Sequence, residues 1–272
     1  MKKILVLTLT IINLNLYAQS NPSYEITNIN NTQVLDAIKS QCETVLASNN
    51  EAQRKEFSLA IVEELKSNRN VMVKKFYLDI LKECAKDEVV RPLSTMLGNL
   101  KIQDSVIAVL LKIDSPASKA ALTKDLSIYD RITAANIIKD ARIDGFENQL
   151  LSWYYASGRE SQRSILDALS YVGSSTSIKV FSKVIRNESY TRRETIDNYL
   201  RLLNNTSKKE PELVLKYAKQ LFNGGQRARS NKAIIGGAKI MLELDRLNSE
   251  KAINKIIHKV SSSTRAELRN LL

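Results

Sequence analysis

Two cysteines, one histidine, one tryptophan, four prolines and eight glycines are all that 272 residues hold of those types. Each scarcity closes a class of protein. Cys42 and Cys84 cannot staple a small disulfide scaffold, and with His258 as the sole histidine the Cys/His ligands of a structural zinc cluster are missing. His258 stands beside an apolar stripe of Ile253, Ile256, Ile257 and Val260 and reads as a boundary residue of a late helix. There is no G-x-S-x-G, no H-E-x-x-H and no phosphate-binding glycine loop. The pairs Gly224-Gly225 and Gly236-Gly237 lack the lysine and hydroxyl that a P-loop requires, and suit a turn or a close helix contact instead. The acidic pairs Glu63-Glu64 and Asp87-Glu88 are sequence neighbours that point to different sides of a helix, so neither makes a general acid/base pair. No catalytic residue, cofactor site or metal site is assigned. Beyond the first residues no apolar run is long enough to span a bilayer, since Ile234 to Leu244 is short and broken by Lys239. Period-two alternation is absent as well, which excludes a strand-built fold.

The N-terminus has the three parts of an export signal: Lys2 and Lys3, an apolar core from Ile4 to Leu16, then Tyr17 and Ala18 before Gln19. Residues 1–18 are expected to be a signal peptide cleaved after Ala18, which places the protein in the periplasm or outside the cell. The core is shorter than the about 20 residues of a spanning helix, which disfavours a retained anchor. Residues 19–30 read as a polar leader. In an exported chain cysteines can oxidise. Both fall on apolar helical faces, however, and are expected to be buried as small hydrophobes rather than joined.

From Asn31 onward apolar residues recur every three or four positions, predicting about fifteen short helices, among them Gln103 to Ile113, Tyr190 to Leu203 and Glu210 to Asn223, and an all-α chain. Ser115-Pro116 and Glu210-Pro211 are helix starts, and Pro92 ends any helix arriving from Cys84. With no low-complexity linker, residues 31–272 read as one domain. The clearest internal signal is a spaced set of basic anchors. Arg131, Arg163 and Arg193 are 32 and 30 residues apart, and Lys232 and Arg265 continue the echo at 39 and 33. Ten residues after each of the first three anchors stands the end of an apolar helical run, at Ala141, Gly173 and Leu203. A period of this length marks a fold that stacks copies of one helical unit.

Residues 163–193, RSILDALSYVGSSTSIKVFSKVIRNESYTRR, resemble a HEAT repeat of the short type found in bilin-lyase-like proteins: an arginine-opened helix with A-L-x-x-V-G, a turn, a second apolar helix and the next arginine. The resemblance implies a right-handed α-solenoid of HEAT-like helix pairs. It gives Ala168, Leu169 and Val172 as core contacts of the first helix, and Ile178, Phe181, Val184 and Ile185 of the second. Arg131 to Gln162 fits with Ala135, Ile138 and Ala141, then Phe146, Leu150 and Leu151, departing where Ala141 replaces the glycine. Ala108 to Leu126 matches through Leu111, Ile113, Leu122 and Leu126. The likeness is good over residues 103–203 and moderate elsewhere, as terminal caps of a repeat array require. It also implies a structural role for Arg131, Arg163 and Arg193, pairing an acid or capping carbonyls between repeats.

Charge is unevenly distributed. Residues 19–178 hold 19 basic and 20 acidic residues, whereas 179–272 hold 20 basic and nine acidic. The densest points, Arg192, Arg193, Lys208, Lys209, Lys216, Lys219, Arg227, Arg229 and Lys232, are the candidate partner-binding residues, because concentrated positive charge attracts anionic partners through its summed field. Trp153, Tyr154 and Tyr155 cannot all face inward, so one is expected at a groove or rim. The expected function is a non-catalytic, protein-binding scaffold of the cell envelope. The alternative is a polyanion-binding module acting on anionic lipid, a cell-wall polymer or nucleic acid. A third reading, an enzyme similar to HEAT-like DNA glycosylases, is disfavoured by export, as is nucleic acid in general, and by the single tryptophan.

Overall fold

The computed structural model describes residues 29–67 and 70–272, which form fifteen α-helices and no strand among the described residues. The expected signal peptide lies outside the described residues, as does the expected leader except for its last two positions, which open the first helix. The helices are α1 (Ile29–Ala47), α2 (Glu51–Ser67), α3 (Val71–Cys84), α4 (Val90–Ser94), α5 (Gln103–Ile113), α6 (Pro116–Thr123), α7 (Arg131–Asp140) and α8 (Glu147–Tyr155). They continue with α9 (Arg159–Val172), α10 (Ser175–Asn187), α11 (Arg193–Ser207), α12 (Pro211–Ala228), α13 (Asn231–Leu244), α14 (Arg246–Asn254) and α15 (Ser262–Leu271). The chain forms two compact units, Met1–Ile128 and Tyr129–Leu272. No helix of the described residues is long and apolar enough to cross a membrane.

Helix starts are fixed by side chains that accept the otherwise orphaned first N–H groups. Asn70 caps α3, Ser115 and Ser118 form a reciprocal capping box ahead of α6, Asp130 caps α7 and Ser261 caps α15. At α10 the cap is supplied partly from another helix. The carboxylate of Glu147, first residue of α8, accepts hydrogen bonds from the N–H and hydroxyl of both Ser174 and Ser177, at 2.6–3.0 Å. Burial works to raise its pKa, but these four bonds outweigh it and hold the carboxyl below the usual glutamate range.

In unit 2 each odd-numbered helix packs on the next odd one, α7 on α9, α9 on α11, α11 on α13 and α13 on α15, while the even helices link neighbours. Unit 1 repeats this with α1 on α3 and α3 on α5. The apolar faces explain the row. Ala135, Ile138, Ile165, Ala168, Leu169, Phe181, Tyr199, Leu202 and Leu203 are at most 2% exposed, so each helix hides its stripe between neighbours. Most of the apolar residues that carry the resemblance are buried, but Leu111, Ile113, Leu126, Phe146, Val172 and Val184 are only half-buried.

Polar bonds also join alternate helices of unit 2. Asp167 accepts from Lys139 at 3.1 Å and from Arg201 at 3.0 Å, Asn205 donates to the Ser170 carbonyl at 3.1 Å, and Lys232 donates to Asp197. These partners are separated by 28, 34, 35 and 35 residues. The Arg201 guanidinium also lies 4.2 Å from the centre of the Tyr171 ring, a cation–π contact that fixes α11 on α9.

In unit 1, Arg54 of α2 is buried and does the corresponding work. It donates to Glu88 at 2.6 and 3.1 Å, to Glu51 at 2.9 Å and to the Cys84 carbonyl at 2.8 Å. Cys42 and Cys84 are both buried free thiols. The Cys42 thiol is pushed well above the ordinary thiol range by its hydrogen bond with Cys84 and by burial.

The sequence expectation started α11 at Tyr190 and ended α12 at Asn223, and the structure moves both boundaries. Ser189 and Tyr190 both have positive φ, 52° and 58°, so α11 begins only at Arg193. Gly224 and Gly225 lie inside α12 because they are contact residues, not turn residues. A Cβ on Gly224 would stand 2.0 Å from the Tyr190 ring, and one on Gly225 2.8 Å from the Ala233 Cβ. The helix runs on to Ala228 and closes with Arg229 in the left-handed conformation.

Candidate binding edge and cleft

The chain path decides where the basic residues gather. Connections between consecutive helices of unit 2 are short, so pairs run antiparallel and the odd helices begin along one edge. The turn before α11 carries Arg192 and Arg193. Arg227, Arg229 and Lys232 lie at the turn between α12 and α13. The Lys232–Asp197 bond, between the first turn of α13 and the second of α11, ties these starts together. Five of the nine expected residues therefore share an edge. Lys208 and Lys209 follow the far end of α11, whose 15 residues put its ends about 22 Å apart at 1.5 Å per residue. Lys219 bonds at 3.6 Å to Asp245, beyond the end of α13, so it belongs with that opposite edge. Lys216, 5.9 Å from the Tyr217 ring centre, precedes it by one turn. The nine residues are two groups rather than one face.

The arginine-rich edge contains two members that charge density along the chain did not single out, Arg159 and Arg163, on the first turns of α9. Of the repeat-opening Arg131, Arg163 and Arg193, only Arg131 makes the expected capping bonds. Its guanidinium donates to the Ala156 carbonyl and to Ser157 Oγ, both at 2.8 Å, capping the end of α8 as the resemblance implies for such an arginine. Arg163 holds the corresponding sequence position but makes no such bond. The residue 25 positions after it is Glu188, and Glu188 is engaged instead by Arg192 at 3.3 Å.

The result is a cleft of about 460 Å³ lined by Tyr154, Arg159, Gln162, Arg163, Leu166, Val184, Asn187, Glu188, Arg192, Glu194, Thr195 and Asn198. Neither the Arg159 nor the Arg163 side chain has a hydrogen-bond or ion-pair partner among the described residues. Val184 was expected in the core and instead forms part of the cleft wall. The turn that separates α10 from α11 consists of Glu188 to Arg192 and holds two successive left-handed residues, a conformation that costs about 1 kcal/mol or more for each non-glycine residue. Backbone bonds from Ser189 to Arg186, from Tyr190 to Ile185 and from Thr191 to Glu188, each 3.0 or 3.1 Å, hold it, and the Tyr190 ring lies against Gly224.

The second carboxylate oxygen of Glu188, Oε2, is buried without a hydrogen-bond donor. Nearby, burial and then the neighbouring Tyr155 and Glu188 raise the pKa of the Tyr154 hydroxyl. Of the aromatic trio, Tyr154 lines the cleft, Trp153 is half-buried and Tyr155 is 69% exposed. Among the described residues no group of three or more His, Cys, Asp or Glu side chains is arranged to hold a metal ion. Compared with protein-family models, curated proteins and solved structures, the chain finds no match.

Proposed function

We propose that the protein is an exported, non-catalytic binding protein of the cell envelope, built as a right-handed solenoid of HEAT-like helix pairs, that recognises an acidic protein partner through the arginine-rich edge of unit 2. The observation that carries this reading is the gathering of Arg159, Arg163, Arg192, Arg193, Arg227, Arg229 and Lys232 at the turns that begin α9, α11 and α13. Two of the seven are committed to acids within the fold, Arg192 to Glu188 and Lys232 to Asp197, and Arg227 Nε also donates to the Asn223 carbonyl at 3.4 Å. The remaining five face only Glu160 and Glu194 as further acids on these first turns, so the edge keeps an excess of positive charge. Guanidinium groups favour planar, bidentate carboxylates, and the exposed Tyr155 and half-buried Trp153 beside them are side chains enriched at protein interfaces. The odd-on-odd packing and the polar bonds that join alternate helices support the solenoid. The three-part N-terminal pattern supports export.

The test compares three immobilised probes against the full chain: polyglutamate, phosphatidylglycerol vesicles and double-stranded DNA. Polyglutamate is expected to bind most tightly, with affinity that falls as salt rises because exposed charges are screened within about 8–10 Å at physiological ionic strength. Exchanging Arg193, Arg227 and Arg229 for glutamate is expected to weaken that binding at least tenfold. Tighter binding to vesicles or DNA overturns the acidic-protein reading in favour of a general polyanion binder.

A further inference from the structure

The cleft at the start of α9 and α11 has a composition that selects one ligand chemistry. Its ionisable lining at neutral pH is three arginines and two glutamates, an excess of a single positive charge. Arg192 is held by Glu188, which leaves Arg159 and Arg163 as the unpaired guanidiniums, placed four residues apart on α9 and therefore on one helix face. Two adjacent guanidiniums suit a carboxylate or a phosphate. The two glutamates in the same wall decide between them, because a dianionic phosphate meets their repulsion while a monoanion matches the single excess charge. Leu166, Val184 and the Tyr154 ring supply apolar wall next to the arginines, and Gln162, Asn187, Thr195 and Asn198 supply neutral hydrogen-bonding groups. Glu188 Oε2 is buried out of a ligand's reach, so a ligand in the cleft meets Glu188 as the charge paired with Arg192. A peptide brings both a carboxylate for the arginines and backbone amides for the neutral polar groups.

We infer that this cleft binds one carboxylate of an acidic peptide segment, with Arg159 and Arg163 holding the carboxylate and the neutral groups of the wall bonding the peptide backbone, while an apolar neighbour of the acidic residue packs on Leu166 and Val184. The inference rests on the proposed acidic partner and adds the location and the chemistry of recognition. The volume, about 460 Å³, takes a segment of two or three residues rather than a whole element. The carboxylate can be a side chain or a chain terminus.

The test is titration of the isotopically labelled full chain with four short peptides, read by the side-chain amide signals of Gln162, Asn187 and Asn198. The first peptide is acetylated and amidated and carries one glutamate between leucines. In the second the glutamate is glutamine, the third is the second with a free C-terminal carboxylate, and the fourth has phosphoserine in the acidic position. The first or the third is expected to move these signals, whichever does identifying the carboxylate's source, and the second is expected to bind at least tenfold more weakly. Arg163→Gln and Arg159→Gln, both at exposed positions, are each expected to weaken the preferred peptide at least tenfold. Lys208→Gln on the far edge is expected to leave it unchanged. Equal binding of the first three peptides, tighter binding of the phosphoserine peptide, or indifference to both arginine changes overturns the assignment. If polyglutamate capture survives while the cleft signals stay still, the cleft assignment fails alone; if both are absent, the acidic-partner reading fails with it.

Discussion

Replacing Arg54 with methionine is expected to lower the unfolding free energy by about 3–5 kcal/mol, the cost of leaving one member of a buried ion pair without its partner. Arg54 and Glu88 have side chains only 10% and 8% exposed, and Arg54 also satisfies the Cys84 carbonyl that ends α3. Glu88 shows the balance. Burial raises its pKa, yet the Arg54 guanidinium and the backbone N–H of Lys86 overcome this and hold the carboxyl at about 2. A folded-state pKa below the unfolded value of about 4.3 means the contribution is complete above that pH and is lost as pH falls toward 2. The Arg54→Met variant removes most of that acid dependence. The double variant Arg54→Met with Glu88→Leu is expected to recover most of the stability, since a packed apolar pair replaces a buried ion pair at little cost. Urea denaturation followed by circular dichroism decides. A single-variant loss under 1 kcal/mol means the pair is solvated and the reading of unit 1 is wrong.

Phe181→Ala is expected to cost about 3–5 kcal/mol, in the range for deleting a buried aromatic side chain. Phe181 is fully buried on α10, and its ring stacks on Tyr199 of α11 at 5.8 Å between centres with 7° between planes. The pair joins the second helix of one hairpin to the first of the next, so the loss measures how far neighbouring hairpins depend on each other. Trp153, the sole tryptophan, lies in unit 2 and makes its fluorescence a reporter of that unit. A loss below 1 kcal/mol in the Trp153 transition contradicts a shared core across the hairpins.

Local rules were enough to read much of this from the residues. Gln103–Ile113 was legible to the residue because a polar opening precedes an uninterrupted apolar period, and Ser115-Pro116 announced α6 through capping chemistry that needs no tertiary information. The glycine pair in α12 misled for a tertiary reason. Gly224 is required by the Tyr190 ring, which comes from 34 positions earlier in the chain, so propensity alone placed a helix end where a contact exists. The late start of α11 has the same origin, since left-handed Ser189 and Tyr190 carry no glycine or asparagine signature.

The binding edge was half legible. Charge density along the chain found Arg192, Arg193, Arg227, Arg229 and Lys232, but it also gathered Lys208, Lys209, Lys216 and Lys219, because sequence proximity says nothing of which end of a helix a residue occupies. Arg159 and Arg163 escaped it for the converse reason. Their stretch of chain is neutral overall, and the period that made Arg163 a repeat opener suggested the capping role that Arg131 performs and Arg163 does not. The available signal was their i, i+4 spacing just after Tyr154 and Tyr155, which places two guanidiniums on one helix face beside exposed aromatic surface.

The measurement that bears most directly on the proposed function compares two full-chain variants for polyglutamate binding at low salt. One exchanges Arg159, Arg163, Arg193, Arg227 and Arg229 for glutamine, and the other exchanges Lys208, Lys209, Lys216 and Lys219. The two changes remove similar charge but from opposite edges of the helix row. Loss of binding in the arginine variant, with the lysine variant within twofold of the parent, is the predicted result. Equal loss in both variants, or loss confined to the lysine variant, contradicts recognition by the arginine edge.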